Sequence, residues 1–257
     1  MRYGGNTSCV ELRLEDGSLV ILDAGTGIRT LGLQQIPDRV YLLLTHLHLD
    51  HLEGLGFFSA LWRADCEIHV YGPSSPLKAL AHRIEGYLSP PLFPVHISDV
   101  PSRLHFHDAP EGEWEIGSAQ IVSGHISHSG PTVGYRITDG GWSLAYMPDH
   151  EPFRGGLRDV DPGWLSGHAI AHGADVLMHD AQYTEAEYPS RIGWGHSAVD
   201  HVVGFAAAAK VGRLMLFHHD PLHTDADLDA QLSRAQELAN GGDFQVVAAR
   251  EGQTVEP

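Results

Sequence analysis

Seven consecutive residues decide the fold of this 257-residue chain: Thr45-His46-Leu47-His48-Leu49-Asp50-His51. They place three imidazoles and one carboxylate within six positions, directly after the apolar run at residues 40–44. That run has the composition of a buried strand, so the chain leaves a sheet at Thr45 and turns towards its next element. A loop at the end of a buried strand can aim side chains from both of its sides at one point.

The spacing within this stretch predicts two metal positions. In an extended segment His46 and His48 project to the same face and can share one ion. The turn that follows carries Asp50 and His51 towards a second ion. Imidazole and carboxylate together suit Zn²⁺, and also Mn²⁺ or Fe. We therefore expect two divalent metal ions, with zinc preferred over manganese or iron.

Further ligands are needed for a two-metal site, and later segments offer them at the ends of predicted strands. His128 lies at the end of one such strand. Asp149 follows another directly and is short enough to bridge two ions. His218 and His219 end a predicted strand at residues 214–217, and they point to opposite faces if that strand persists. Only one of these two histidines can therefore be a ligand.

The composition restricts the partners of the chain. Thirty-three acidic residues face 16 lysines and arginines, which gives a formal net charge of −17. Such a body repels polyphosphate chains, so long nucleic acid is a poor candidate partner and a small anionic substrate a better one. The 19 histidines outnumber lysine and arginine together. Histidine is both a metal ligand and a proton carrier near neutral pH.

The cysteines and the apolar segments predict a cytoplasmic protein. Cys9 and Cys66 are the only two cysteines, too few for a disulfide framework and without the spacing of a zinc or redox motif. No basic segment followed by an apolar one opens the chain, and no apolar run approaches the ~18 residues that a membrane span needs. We expect no membrane contact.

Short apolar strands alternate with helical segments along the chain, and no linker divides it, so we expect a single domain over residues 1–257. The predicted strands cover residues 9–14, 19–22, 40–44, 68–71, 120–123, 134–137, 143–147, 176–178 and 214–217. The predicted helices cover residues 52–62, 197–210 and 227–240. Four prolines among apolar side chains at residues 87–102 predict an ordered loop, either packed on its own domain or acting as a lid or subunit contact.

The run His46-x-His48-x-Asp50-His51 resembles the signature of the metallo-β-lactamase-fold superfamily. This resemblance implies an α+β fold, a four-layer αββα sandwich of mixed sheets covered by helices, with a dinuclear metal site along one edge of the sheets. The later elements occur in the family's order. His128, followed by Gly134-Tyr135, resembles the third motif of the ribonuclease Z and phosphodiesterase branch, and Asp149 resembles the bridging aspartate. Further on, His179-Asp180-Ala181, Gly195-His196-Ser197 and His218 are similar to the acidic segment, the histidine motif that opens a helix, and the final ligand.

The resemblance implies a ligand set for each ion. The first ion is held by His46, His48, His128 and Asp149. The second is held by Asp50, His51, Asp149 and His218.

Three points stay open. His125 lies three residues before His128, although the spacing to Gly134-Tyr135 favours His128. His218 is preferred over His219. The chain begins close to its first strand, where relatives usually carry one more, so the first sheet is either incomplete at its edge or covered by a second subunit, as in a homodimer.

Two adjacent divalent ions serve hydrolysis, because they deprotonate a water molecule and stabilise charge on the substrate's oxygens. Asp50 can orient the hydroxide, and His196 is the candidate general acid. The residues available to hold the ligating histidines in one tautomer are Asp23, Thr45, Asp180 and His219.

A bridging carboxylate in this family accompanies phosphodiesterases, ribonuclease Z-like nucleases, thioesterases and lactonases. Only twenty residues separate His128 from Asp149, and they contain one arginine, Arg136, so the long arm of a transfer-RNA-processing nuclease is missing. The sequence therefore predicts a dinuclear phosphodiesterase for a small or cyclic phosphodiester. The alternatives are a lactonase, a thioesterase or a ribonuclease Z-like nuclease on the same fold, or a metal-binding sensor without catalysis.

Overall fold

The computed structural model describes residues 2–31, 35–154 and 160–256, which form two compact units. The first unit comprises Asn6–Pro110 and Trp114–Gln120. The second comprises the described residues of 1–5, 111–113 and 121–257. The expectation of a single domain over residues 1–257 stays a prediction.

A five-stranded mixed sheet organises the first unit. Its strands are β1 (Val10–Arg13), β2 (Leu19–Leu22), β3 (Arg39–Leu43), β4 (Glu67–Gly72) and β5 (Arg103–Asp108). They lie in the order β1-β2-β3-β4-β5; β1 is antiparallel to β2, and the other neighbours are parallel. Because β3 is the central strand, the segment after it leaves from the middle of the sheet.

A second sheet has seven strands in the order β12-β11-β10-β9-β8-β7-β6. They are β6 (Gly112–Ile116), β7 (Ala119–His125), β8 (Val133–Asp139), β9 (Trp142–Met147), β10 (Val176–Asp180), β11 (Arg213–Phe217) and β12 (Gln245–Ala248). β8 and β9 are antiparallel, whereas β9 to β12 run parallel. Parallel neighbours bring their carboxyl ends to one edge of the sheet, and the candidate residues after β9, β10 and β11 therefore share that edge.

Five α-helices occur among the described residues: α1 (Ile28–Leu31), α2 (Leu80–Glu85), α3 (His168–Ala171), α4 (Val199–Ala209) and α5 (Asp225–Leu238). A capping box between Thr224 and Asp227 starts α5, since each side chain bonds the other's backbone. The helix α4 ends at Lys210, whose left-handed backbone closes its last turn. None of these helices has the length and apolar character that a membrane crossing needs, as far as the described residues go.

Two mixed sheets with helices confirm the predicted α+β class, and the nine predicted strands are all present. The helix predicted at residues 52–62 is wrong: the segment forms two 3₁₀ turns, Leu55–Phe57 and Ser59–Trp62. Its glycines explain the difference. A Cβ at Gly54 would collide with the Gly25 carbonyl oxygen, so this segment approaches the loop after β2 more closely than a regular helix with side chains could.

The proline-containing segment at residues 87–102 packs on its own unit. Leu88 and Ile97 are buried in the apolar core of the first unit, and Phe93 packs against that core. The sequence therefore predicted an ordered loop correctly, while its further role as a lid or a subunit contact stays a prediction.

Candidate metal centre

In the first unit, three imidazoles converge directly after β3. The ring centroid of His46 lies 4.4 Å from that of His48 and 4.2 Å from that of His51. The 3₁₀ turn Leu49–His51 reverses the chain and thereby brings His51 back towards His46. His46 is almost fully buried and His51 fully buried. The predicted stretch therefore does gather its imidazoles at one place.

A buried carboxylate fixes the orientation of these rings. Asp23, at the end of β2, accepts hydrogen bonds at Oδ1 from the Thr45 backbone N–H (2.7 Å) and hydroxyl (3.0 Å). Its Oδ2 accepts from His51 Nδ1 at 2.9 Å, which turns His51 Nε2 towards Asp50 Oδ2 at 3.4 Å. Since the Thr45 hydroxyl proton is given to Asp23, its oxygen can accept from His46 Nδ1 at 3.1 Å. Asp23 and Thr45 thus hold both rings with Nε2 outward, as metal-binding histidines require.

In the second unit, three imidazole nitrogens surround one oxygen of Asp149. Asp149 follows β9 and is almost fully buried. Its Oδ1 lies 3.3 Å from His218 Nε2, 3.7 Å from His196 Nδ1 and 3.9 Å from His128 Nε2. A carboxylate at the centre of several imidazoles is the donor set that a divalent ion of the zinc type prefers.

The contacts favour His128 over His125. His128 Nδ1 donates to the Gly195 carbonyl oxygen at 2.7 Å, which directs Nε2 towards Asp149. His125, at the end of β7, has a half-exposed side chain whose Nε2 lies 3.4 Å from Glu111 Oε1.

The contacts also favour His218 over His219. The strand β11 ends at Phe217, and the left-handed backbone of His218 (φ +54°) turns its ring towards Asp149. His219 Nε2 instead donates to the Ala249 carbonyl oxygen at 3.2 Å. The supporting role behind the ligands that is expected for His219 stays a prediction.

Asp180 positions the candidate acid, His196. The side chain of Asp180 is fully buried at the end of β10, and its Oδ2 accepts from His196 Nδ1 at 2.6 Å. The Ser197 backbone N–H donates to Oδ1 at 3.1 Å. Burial lowers the pKa of His196, but the charge and hydrogen bond of Asp180 outweigh burial and raise that pKa above its usual value. The side chain is 15% exposed, so Nε2 can meet a substrate.

Two residues of the candidate site have a left-handed backbone conformation. Among the described residues, the non-glycine residues with a left-handed backbone are Asp23, His218 and Lys210. Lys210 closes a helix, while the other two are site candidates. Non-glycine residues hold this conformation at a cost and are concentrated at functional sites.

Sequence reasoning missed Glu151, whose carboxylate is buried two residues after Asp149. Its Oε1 accepts from the Tyr188 hydroxyl (2.7 Å) and the Gly193 N–H (2.9 Å), and its Oε2 from the Gly195 N–H (3.1 Å). The Gly195 carbonyl in turn holds His128. Glu151 therefore anchors the loop that orients His128 and leads into His196. An acidic residue directly behind a candidate ligand was the available signal.

Known proteins resemble this chain along most of its length. The profile of a family described as "Beta-lactamase superfamily domain" matches residues 19–219. A ribonuclease Z from Thermococcus onnurineus is 23% identical over an alignment that covers 96% of this chain and 90% of that protein.

Solved structures show the same architecture. The metallo-β-lactamase fold protein YhfI from Bacillus subtilis superposes with a TM-score of 0.70 at 18% identity, covering 99% of this chain and 96% of YhfI. A diphosphatase from the PhnP family superposes with a TM-score of 0.67 at 18% identity, covering 98% of this chain and 84% of that one.

Proposed function

Because this chain belongs to the β-lactamase superfamily and has the metallo-β-lactamase fold, we propose that it is a metal-dependent hydrolase with a two-metal site. The family resemblance inferred from the histidine motif is confirmed by the matching family. The observation that carries the proposed activity is the arrangement of three imidazole nitrogens around Asp149 Oδ1, with the ring of His128 held by the Gly195 carbonyl and that of His196 by the Asp180 carboxylate.

The proposed ligands follow the sequence motifs. One ion would be held by His46, His48, His128 and Asp149, and the other by Asp50, His51, Asp149 and His218. The donor chemistry fits zinc, with manganese or iron as alternatives, because imidazoles outnumber carboxylates among the proposed ligands and a carboxylate can bind through one or both of its oxygens. The ring nitrogens on the far side of His46, His51 and His128 are occupied by Thr45, Asp23 and Gly195.

Two such ions, when bound, would lower the pKa of water and stabilise negative charge that develops on the substrate's oxygens. Asp50, whose side chain is 41% exposed, would accept a hydrogen bond from the attacking water and orient it. His196 would donate the proton at Nε2 to the leaving alkoxide, because its Nδ1 is held by Asp180. The buried carboxylate of Asp180 would then stabilise the ring as it loses and regains its proton.

Phosphodiester hydrolysis is the reaction that we propose. Ribonuclease Z and the PhnP-family diphosphatase are, by their names, enzymes that break phosphorus–oxygen bonds, and both resemble this chain. The ribonuclease relative counts against the expectation that long nucleic acid is a poor partner. The net charge of −17 supports a small or cyclic phosphodiester instead, since a long polyanion would have to lie along an acidic surface. A ribonuclease Z-like nuclease is the second candidate.

Four substrates separate these candidates: a bis-aryl phosphodiester, a cyclic nucleotide, a structured RNA and an acyl lactone, each assayed with Zn²⁺ and with Mn²⁺. We expect turnover of the first two. Turnover of RNA alone would establish the nuclease, and turnover of the lactone alone would refute phosphodiester chemistry. Asp50→Ala should remove the activity, whereas Asp243→Asn, a change at an exposed carboxylate, should not. Full activity in Asp50→Ala with metal still bound would refute the role of Asp50 in orienting the attacking water.

We further propose that the protein works in the cytoplasm, while the homodimer that the sequence allows stays a prediction. Cys9 and Cys66 are both free thiols, as expected in a reducing compartment. Burial raises the pKa of the Cys9 thiol, which keeps it unreactive. Sedimentation of the purified protein measures the oligomeric state directly.

A further inference from the structure

A second group of metal-ligand side chains lies on the five-stranded sheet of the first unit. Glu67 and His69 are alternate residues of β4, so they project from the same face. His105 on β5 is the register partner of His69 and stands beside it on that face. One carboxylate and two imidazoles therefore meet across two neighbouring strands.

The donor atoms of this group are close enough to share one ion. His105 Nε2 lies 3.0 Å and His69 Nε2 3.7 Å from Glu67 Oε1. All three donor atoms lie within 4.8 Å of one another. Ligands at about 2.0–2.1 Å from a tetrahedral zinc ion are themselves roughly 3.3 Å apart, so small side-chain rotations would complete the geometry.

The surroundings prepare each group for this role. Arg39 binds Glu67 Oε2 through Nη2 (2.9 Å) and Nε (3.1 Å), which holds the pKa of the carboxyl below its usual range and leaves Oε1 facing the histidines. His107 Nε2 lies 3.1 Å from His69 Nδ1. If His69 donates its Nδ1 proton to His107, its Nε2 lone pair faces Glu67.

This group is remote from the histidine motif. Glu67 pairs with Arg39 at the start of β3, and the motif follows the end of β3 at Leu43. Four residues of extended strand separate the two ends by about 13 Å. The ligands proposed for hydrolysis and the Glu67 group therefore do not share side chains.

We propose that Glu67, His69 and His105 form a binding site for a divalent transition metal ion, with Zn²⁺ as its representative, separate from the hydrolytic centre. Two imidazoles and a carboxylate favour zinc, copper or nickel over calcium or magnesium. His105 is exposed, so water can complete the coordination. To bind the ion through Nε2, His105 would carry its proton on Nδ1. His107 would hold His69 from behind.

Equilibrium dialysis of the full chain against Zn²⁺, followed by elemental analysis, tests the site. We expect His105→Ala and Glu67→Gln each to bind one zinc ion fewer per chain than the wild type. His107→Ala should keep the stoichiometry at saturation and weaken this ion's binding about 10–100-fold. Equal zinc content in the wild type, His105→Ala and Glu67→Gln would overturn the proposal.

A matched control is His96→Ala, which removes another exposed imidazole that lies 4.0 Å from a single carboxylate, Glu85. Its zinc content should equal that of the wild type. The difference between the wild type and His105→Ala should also persist in an Asp149→Asn background, so this result does not depend on whether the hydrolytic centre binds metal. Unchanged circular dichroism and unchanged phosphodiesterase activity would show that His105→Ala keeps the fold.

Discussion

Glu151→Gln tests whether a carboxylate that touches neither metal nor substrate controls the metal centre. Glu151 accepts hydrogen bonds from the Tyr188 hydroxyl and the backbone N–H groups of Gly193 and Gly195. A glutamine can keep its oxygen towards Tyr188 and Gly193, but its amide then faces the Gly195 N–H, donor against donor. The loss is one hydrogen bond to a charged group, about 1.5–3 kcal/mol of unfolding free energy.

The effect on metal binding is transmitted by the hydrogen bond between His128 and the Gly195 carbonyl. The Gly195 carbonyl accepts from His128 Nδ1, so a displaced Gly195 leaves that ring without its fixed orientation. Loss of a group that orients a ligand weakens metal binding about 10–100-fold. We therefore expect Glu151→Gln to raise the zinc dissociation constant by this factor and to lower kcat/KM at limiting zinc.

Three measurements separate a positioning role from a purely structural one: urea unfolding, zinc titration against a competing chelator, and kcat/KM with and without saturating zinc. The matched control is Glu187→Gln, because the Glu187 carboxylate accepts two hydrogen bonds from Thr184 at 2.8 Å but contacts none of the proposed ligands. The control should lose stability and keep zinc affinity. If Glu151→Gln also loses stability but retains wild-type zinc affinity, the reasoning is refuted.

Three further predictions follow from the contacts. Asp23→Asn should weaken zinc binding about 10–100-fold, because asparagine has only one accepting oxygen and cannot accept from both His51 Nδ1 and Thr45. Wild-type affinity in a zinc titration would contradict this. His128→Ala should abolish phosphodiesterase activity and lower zinc content, whereas His125→Ala should leave both unchanged; the opposite result would assign the ligand to His125. Burial lowers the pKa of His179, so the folded protein keeps this ring neutral where the unfolded chain, with a pKa of about 6.5, takes up a proton. The stabilising effect of the neutral ring is therefore complete above about pH 6.5. As the pH falls further, the free energy of unfolding decreases by up to about 1.4 kcal/mol per pH unit. Urea unfolding in the presence of a chelator should show a smaller loss of stability below pH 6.5 for His179→Gln than for the wild type.

The sequence alone was sufficient to predict those candidate ligands that are close neighbours in the chain. The stretch from Thr45 to His51 could be read directly, because its ligands are neighbours in the chain and follow an apolar strand. The spacing to Gly134-Tyr135 favoured His128 over His125, but the contact that orients His128 is made with Gly195, 67 residues away, and no local pattern contains it. Glu151 was missed for the same reason, because its partners Tyr188, Gly193 and Gly195 are distant in the chain.

Errors in the fold have a related cause. The apolar run at residues 52–62 has helical spacing, but Gly54 approaches Gly25 so closely that tertiary packing, and not spacing, sets its conformation. The strand β5 (Arg103–Asp108) escaped prediction, because only Leu104 and Phe106 give it an apolar face, and its other face carries His105 and His107 in place of aliphatic side chains. These histidines are ordered by their neighbours on β4, which sequence periodicity cannot indicate.

Two buried aspartates orient a proposed ligand and the proposed acid in the same way. Asp23 and Asp180 are both fully buried at strand ends, and each accepts backbone N–H bonds as well as one from an imidazole Nδ1. A buried carboxylate without such donors would be costly, so each one enforces the Nδ1–H tautomer of its partner and directs Nε2 away. The difference lies in exposure: His51 is fully buried, while the side chain of His196 is 15% exposed. The partly exposed His196 can therefore exchange its proton with a leaving group, whereas the fully buried His51 cannot exchange one with solvent.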